Sequence, residues 1–258
     1  MTQPSERTVE LRGGQFKTRV LSAGAGEPVV FLHGAGGLFW DPFLDRLAQR
    51  FTVVAPEHPG AGESQGLEHL DDLWDLVLYY DDLFEELGLS SARVVGHSFG
   101  GMVAAELAAN SPGRVEKLVL LAPIGLWLDD HPIPDIAGIP PEKMVELVLA
   151  DPNGPLAAFL VPPADNPEAL FRGAMTMASV LHFIWPIPDK GLAKRIHRIQ
   201  APTLLVWGNQ DRLTDPAYGE EFARRIAGAR LVRFDGAGHL PQLEQTEPVT
   251  AAVSDFLT

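Results

Sequence analysis

Val94-Val95-Gly96-His97-Ser98-Phe99-Gly100-Gly101 joins a short apolar run to a stretch of small residues through a Gly-x-Ser-x-Gly turn. Val and Gly before the turn read as a buried strand, and the alanine-rich stretch after it reads as a helix over 99–110. A sharp strand-to-helix turn forces Ser98 into a strained backbone, where a Cβ at Gly96 or Gly100 would strike neighbouring chain. The Ser98 hydroxyl is then held above the sheet as a candidate nucleophile. The Phe99 N–H, first of the helix, points to the same spot and can donate to an oxyanion. Gly100, Gly101, Ala104, Ala105 and Ala108 let that helix approach the sheet closely, which is a packing role.

Outward from this turn, β-rich runs alternate with helical patterns, the pattern of a largely parallel sheet covered on both faces. Strands are expected near 9–11, 17–22, 29–32, 52–55, 93–95, 117–121, 204–207 and 230–234, and helices near 42–49, 70–87, 99–110, 217–226 and 248–256. With no helix between them, the first two strands should form an antiparallel hairpin at one edge. Over 124–198 the alternation stops, and 11 of the chain's 22 prolines gather there. Trp127, Phe159, Phe171, Met175, Phe183 and Trp185 give that segment too much apolar mass for a solvated linker, so it is expected to fold as a mainly helical cap. The core is then 1–123 with 199–258, interrupted by a cap over 124–198.

Composition narrows the function. A chain of 258 residues, 46% apolar, can bury one large core. A net charge of −14 argues against nucleic acid and anionic membrane surfaces as partners. Between Leu67 and Ala92 stand eight acidic residues and no Lys or Arg. Leu70, Leu73, Trp74, Val77, Asp81, Phe84 and Leu87 form an apolar helical stripe there with Asp81 its one polar member, so the acids read as a solvated face and not a metal site. The longest apolar run is too short to span a bilayer, and Met1 to Leu11 lacks the pattern of a signal peptide. Cysteine is absent, which removes disulfides and thiol chemistry and suits a cytoplasmic protein.

A serine hydroxyl at neutral pH needs a base within hydrogen-bond reach and a group to orient that base. Leu204-Leu205-Val206-Trp207-Gly208-Asn209-Gln210-Asp211 is a buried-type strand and a loop presenting Asp211. Asp235-Gly236-Ala237-Gly238-His239-Leu240-Pro241 is a glycine-rich loop with His239 at its tip. Taken with Val30-Phe31-Leu32-His33-Gly34-Ala35-Gly36-Gly37 and Pro56-Glu57-His58-Pro59-Gly60-Ala61-Gly62-Glu63-Ser64, the chain resembles the α/β-hydrolase-fold enzymes over nearly the whole core. The resemblance implies a mostly parallel, eight-stranded sheet flanked by helices with an inserted helical cap. It also implies Ser98 as nucleophile, His239 as general acid/base, Asp211 as its orienting partner, and the Ala35 and Phe99 amides as the oxyanion hole.

Other residues are read against these. Asp129 and Asp130 are spare acid candidates, Asp235 should face away, and His33 should hold the oxyanion loop through its ring nitrogens. His97 is a pocket-floor or packing residue. His58, His69, His131, His182 and His197 lack metal-ligand spacing and read as surface or cap residues, so no metal or cofactor is expected. A phosphate cradle at 34–37 is disfavoured because no Lys-Ser or Lys-Thr follows. Serine at the turn excludes the alkyl-enzyme chemistry that an aspartate there would serve. Phe39, Trp40, Trp127, Phe159, Phe183 and Trp185 are expected around an apolar substrate pocket. The partner is then a small-molecule ester or other acyl substrate with a small to medium apolar acyl or aryl group. Carbon–carbon bond hydrolases of the meta-cleavage-product type share fold, cap and triad, and Arg172, Arg195 or Arg198 would bind their substrate carboxylate. Such enzymes tend to carry a tryptophan shortly after the histidine, whereas here Leu240-Pro241-Gln242-Leu243-Glu244 follows. A ligand-binding receptor on the same scaffold is the alternative from another class.

Overall fold

Each β-rich run becomes a strand: β1 (Ser5–Leu11), β2 (Phe16–Ala23), β3 (Pro28–Leu32), β4 (Thr52–Pro56), β5 (Ala92–His97), β6 (Val115–Leu121), β7 (Thr203–Gly208) and β8 (Arg230–Phe234). This computed structural model describes residues 3–160 and 166–258. The strands lie in the order β1-β2-β4-β3-β5-β6-β7-β8. β1 and β2 form the expected edge hairpin, β2 runs antiparallel to β4, and the rest pair in parallel. The central strands are buried on both faces, which is why they read as unbroken apolar runs.

The chain leaves β3 for β4 on one side and returns to β5 on the other. That reversal opens a crevice beyond the carboxyl ends of β3 and β5, where open α/β sheets bind ligands. One face of the sheet is covered by α2 (Leu73–Glu86), α3 (Phe99–Asn110) and α8 (Ala217–Arg225), and the other by α1 (Pro42–Leu47) and α10 (Thr246–Leu257). The acidic helix begins at Leu73 and not near 70, because the Asp72 side chain caps it by accepting from the Trp74 and Asp75 amides. Its buried face is Leu73, Leu76, Val77, Tyr79, Tyr80, Leu83 and Phe84, so Trp74, expected in the apolar stripe, instead stands half exposed. Asp81 is held by Arg114 at 2.7 Å.

Between β6 and β7 run α4 (Pro141–Val148), α5 (Pro155–Leu160), α6 (Pro167–Ile184) and α7 (Leu192–Arg195). Prolines open α4, α5 and α6, where a missing N–H costs nothing. The last short helix before α10 is α9 (Pro241–Glu244).

Candidate active site

Ser98 joins β5 to α3 with φ 53° and ψ −115°, a conformation that L-residues avoid. The turn closes because its flanks are glycine. A Cβ on Gly96 would lie 2.4 Å from the Gly100 carbonyl oxygen, and one on Gly100 would lie 2.1 Å from that of Leu32. The Ser98 N–H donates to the Leu121 carbonyl at 2.9 Å, and its carbonyl accepts from Met102 and Ile124. Strain at one residue is thus held by bonds from a strand, from the loop that follows it and from a helix.

The loops after β7 and β8 bring the other groups to this point. His239 Nε2 accepts from the Ser98 hydroxyl at 2.9 Å, and His239 Nδ1–H donates to Asp211 Oδ2 at 2.9 Å. All three side chains are buried. Asp211 is itself fixed by four donors: the Leu213 and Thr214 amides on Oδ1, and the Thr214 hydroxyl and His239 on Oδ2. Thr214, 3.0 Å from His239 Nδ1, was not expected from the sequence. Its signal was available in Asp-x-x-Thr, a spacing that lets an aspartate accept from its own turn and from the hydroxyl that follows. Hydroxyl, imidazole and carboxylate in one hydrogen-bonded chain is the arrangement that general-base activation of a serine requires.

Above Ser98 lies a cavity of about 600 Å³ whose floor is Ala35, His97, Ser98, Phe99 and His239. Its walls come mainly from 124–188, with Trp127 and Trp185 among them, and Asp135 is the one Asp, Glu, Lys or Arg in the described lining. Phe183 stacks on Phe99 from behind, ring centroids 6.0 Å apart, and is absent from the described wall. Trp40 packs against the core under α1 and α10, and Phe39 lines a second hollow beside the loop after β3. Neither is among the described lining of the cavity above Ser98. Phe159 lies on α5, but its side chain falls outside the described residues.

A model of the alpha/beta hydrolase family matches residues 29–252. The chain belongs to this family. Its relatives include a dihydrolipoyllysine-residue acetyltransferase component of an acetoin cleaving system from Cupriavidus necator, 30% identical over 91% of this chain and 64% of that one. A 2-hydroxy-6-oxo-6-phenylhexa-2,4-dienoate hydrolase from Comamonas testosteroni is 28% identical over 91% of this chain and 89% of its own. A pimeloyl-[acyl-carrier protein] methyl ester esterase from Neisseria meningitidis is 29% identical over 89% and 92%.

Around the centre of this hydrolase, buried histidines take distinct tautomers. His33 Nε2 accepts from the His58 N–H at 3.0 Å, which leaves Nδ1–H to donate to the Gly34 carbonyl at 2.7 Å. His58, expected at the surface or in the cap, is instead buried beside the loop after β3: Nε2–H donates to the His33 carbonyl and Nδ1 accepts from the Tyr80 hydroxyl. Desolvation pushes His58 down to about 4 and His97 down to about 3, and lowers His33 well below its ordinary value. His97 Nε2–H donates to the His239 carbonyl at 2.9 Å and so steadies that loop. Asp129 accepts from Trp127 and Asp235 from Asn209, and neither is bonded to His239.

The three arginines considered for a substrate carboxylate are placed elsewhere. Arg195 is paired in two bonds with buried Glu106 of α3, Arg172 lines the second hollow beside Glu63 and Glu168, and Arg198 is exposed. Among the described residues no helix of this hydrolase is long and apolar enough to cross a membrane. None of their His, Asp and Glu side chains gather in threes that could hold a metal.

Proposed function

We propose that this hydrolase cleaves uncharged carboxylic esters with an apolar acyl or aryl group through an acyl-enzyme on Ser98. The observation that carries the reading is the unbroken chain from Ser98 through His239 to Asp211, at 2.9 Å and 2.9 Å, under an apolar cavity. His239 Nε2 takes the hydroxyl proton as Ser98 Oγ bonds to the ester carbonyl carbon. The tetrahedral oxyanion is received by the Phe99 N–H, which has no partner within its helix, and by that of Ala35, each worth about 3 kcal/mol in the transition state. His239 returns its proton to the leaving alkoxide, then takes one from a water that attacks the acyl-enzyme, and Ser98 is regenerated as the acid departs. Asp211 holds the imidazole in the Nδ1–H tautomer throughout.

The Comamonas relative supports a second reading, hydrolysis of a carbon–carbon bond in a dienoate. Such a substrate carries a carboxylate, and the described cavity wall offers it only Asp135 while Arg195 is spent on Glu106. Esters fit that wall better. The test is hydrolysis of p-nitrophenyl esters of increasing acyl length by wild type and Ser98→Ala. Turnover by the wild type alone is expected. An inert wild type would remove the ester reading.

A further inference from the structure

We propose that Glu244 is a positioning residue for His239, clamping the histidine loop to the end of α4 in the inserted segment. The proposal rests on the role given above to His239 as acid/base, and its observations are independent of the substrate. Four successive amides of the loop find acceptors on three different elements. The Gly236 and Ala237 N–H groups donate to Gln210 Oε1, the Gly238 N–H donates to Glu244 Oε2 at 2.6 Å, and the His239 N–H donates to the Val148 carbonyl at 2.8 Å. The other carboxylate oxygen of Glu244 accepts from the Ala150 N–H at 2.7 Å. One side chain therefore ties the residue before His239 to Ala150, which stands 94 positions before Glu244 in a segment outside the sheet.

The second strand of the clamp runs beside it. Arg212, next to Asp211, donates from its guanidinium to the Glu146 and Leu149 carbonyls and from its amide to the Leu147 carbonyl. The loops carrying Asp211 and His239 are thereby fastened to the same few residues at the end of α4. Gly238 is needed for the approach, since a Cβ there would lie 2.6 Å from the Val148 carbonyl oxygen. Half-burying a carboxylate is costly, and burial pushes Glu244 up while the Gly238 and Ala150 amides pull it down. Among the contacts of the loop amides this is the one with a charged acceptor, so it holds the loop most strongly. It also places α4 in the catalytic apparatus, as a wall that cannot swing away without moving His239.

The experiment compares full-length wild type, Glu244→Ala and Glu244→Gln, with active sites counted by a neutral p-nitrophenyl alkylphosphonate ester. In that reaction Ser98 Oγ bonds to phosphorus, the P–O bond to nitrophenolate breaks, and His239 receives the serine proton. Expected is a loss of about 10-fold or more in kcat per counted site for Glu244→Ala, with KM within about twofold, since small misplacement of a catalytic group is costly. Glu244→Gln keeps one amide oxygen as acceptor and should fall between. If Glu244→Ala does not fold, Glu244→Gln carries the comparison alone. A kcat per counted site equal to wild type in the folded variants would overturn the proposal, because a merely structural loss lowers the number of sites and not their rate. A wild type that is phosphonylated but hydrolyses no ester removes the ester reading, and the phosphonylation rate of the variants then decides the role of Glu244.

Discussion

Replacing Ser98 by glycine should remove hydrolysis and yet give a more stable protein than replacing it by alanine. Both variants lose the 2.9 Å hydroxyl bond to His239, so that term cancels between them. Alanine keeps a Cβ on a residue at φ 53°, ψ −115°, a strain worth about 1–3 kcal/mol, whereas glycine adopts that conformation freely. Against this, glycine loosens the unfolded chain and costs about 0.4–1 kcal/mol. The balance favours Ser98→Gly over Ser98→Ala by about 1 kcal/mol, or about 3 °C in Tm for a chain of this size. Urea midpoints measured at neutral pH, with ester hydrolysis on the same samples, read both halves. A glycine variant no more stable than the alanine variant would refute the strain argument. Turnover surviving in either would refute the nucleophile.

Asp211→Asn should lower kcat by at least about 10³-fold, because an amide NH2 facing Nδ1 favours the wrong imidazole tautomer; stopped-time ester assays check it. Thr214→Val removes one of four donors to Asp211 and should cost about 1.5–3 kcal/mol of stability, with Thr214→Ser restoring most of it in urea unfolding. Acidification should destabilise the fold. His58 and His97 stay neutral when folded but protonate at about 6.5 when unfolded, so their contribution is lost as pH falls below that value, about 5 kcal/mol together by about pH 4.5. Asp41 acts in the opposite sense: its carboxyl, pushed up to about 6 by burial, returns about 2 kcal/mol over the same interval and leaves a net loss of about 3. Urea midpoints at pH 7 and 4.5 measure this, and an unchanged or higher midpoint in acid would contradict it.

What the sequence disclosed was governed by local chemistry. Gly96, Ser98 and Gly100 are legible because a tight turn demands small residues within five positions, and Asp211 and His239 because each stands in a loop after a recognisable strand, in the order the resemblance to α/β-hydrolase-fold enzymes implies. The edge hairpin followed from the missing helix between two short runs. What stayed hidden depends on partners far away in the chain. Nothing near His58 reveals that it meets His33 and Tyr80, nor near Arg195 that it meets Glu106, 89 residues before it. A histidine is equally at home at a surface or in a satisfied core, so spacing alone could not separate the two. Trp74 was misplaced for a different reason: the apolar stripe of its helix is wide, and tyrosines at 79 and 80 took the buried side.

On the proposed mechanism, the neutral histidines also account for how the Ala35 amide is aimed. A trans peptide is planar, so the carbonyl of Gly34 and the N–H of Ala35 point in opposite directions. Two donors fix that carbonyl, His33 Nδ1–H at 2.7 Å and the Gly37 N–H at 3.2 Å, and they therefore fix the Ala35 N–H as well. His33 can donate from Nδ1 only because Nε2 is committed to the His58 N–H, and His58 is locked in turn by the His33 carbonyl and Tyr80. A charged His33 would have no acceptor for its second proton at Nε2, where an N–H already points in, so burial that keeps the ring neutral also keeps the loop in register. In the proposed mechanism this is preorganisation in the literal sense: the Ala35 donor is turned toward the oxyanion before any substrate arrives, and no dipole must reorient during the reaction. In that mechanism His33 acts through a peptide plane and not through proton transfer.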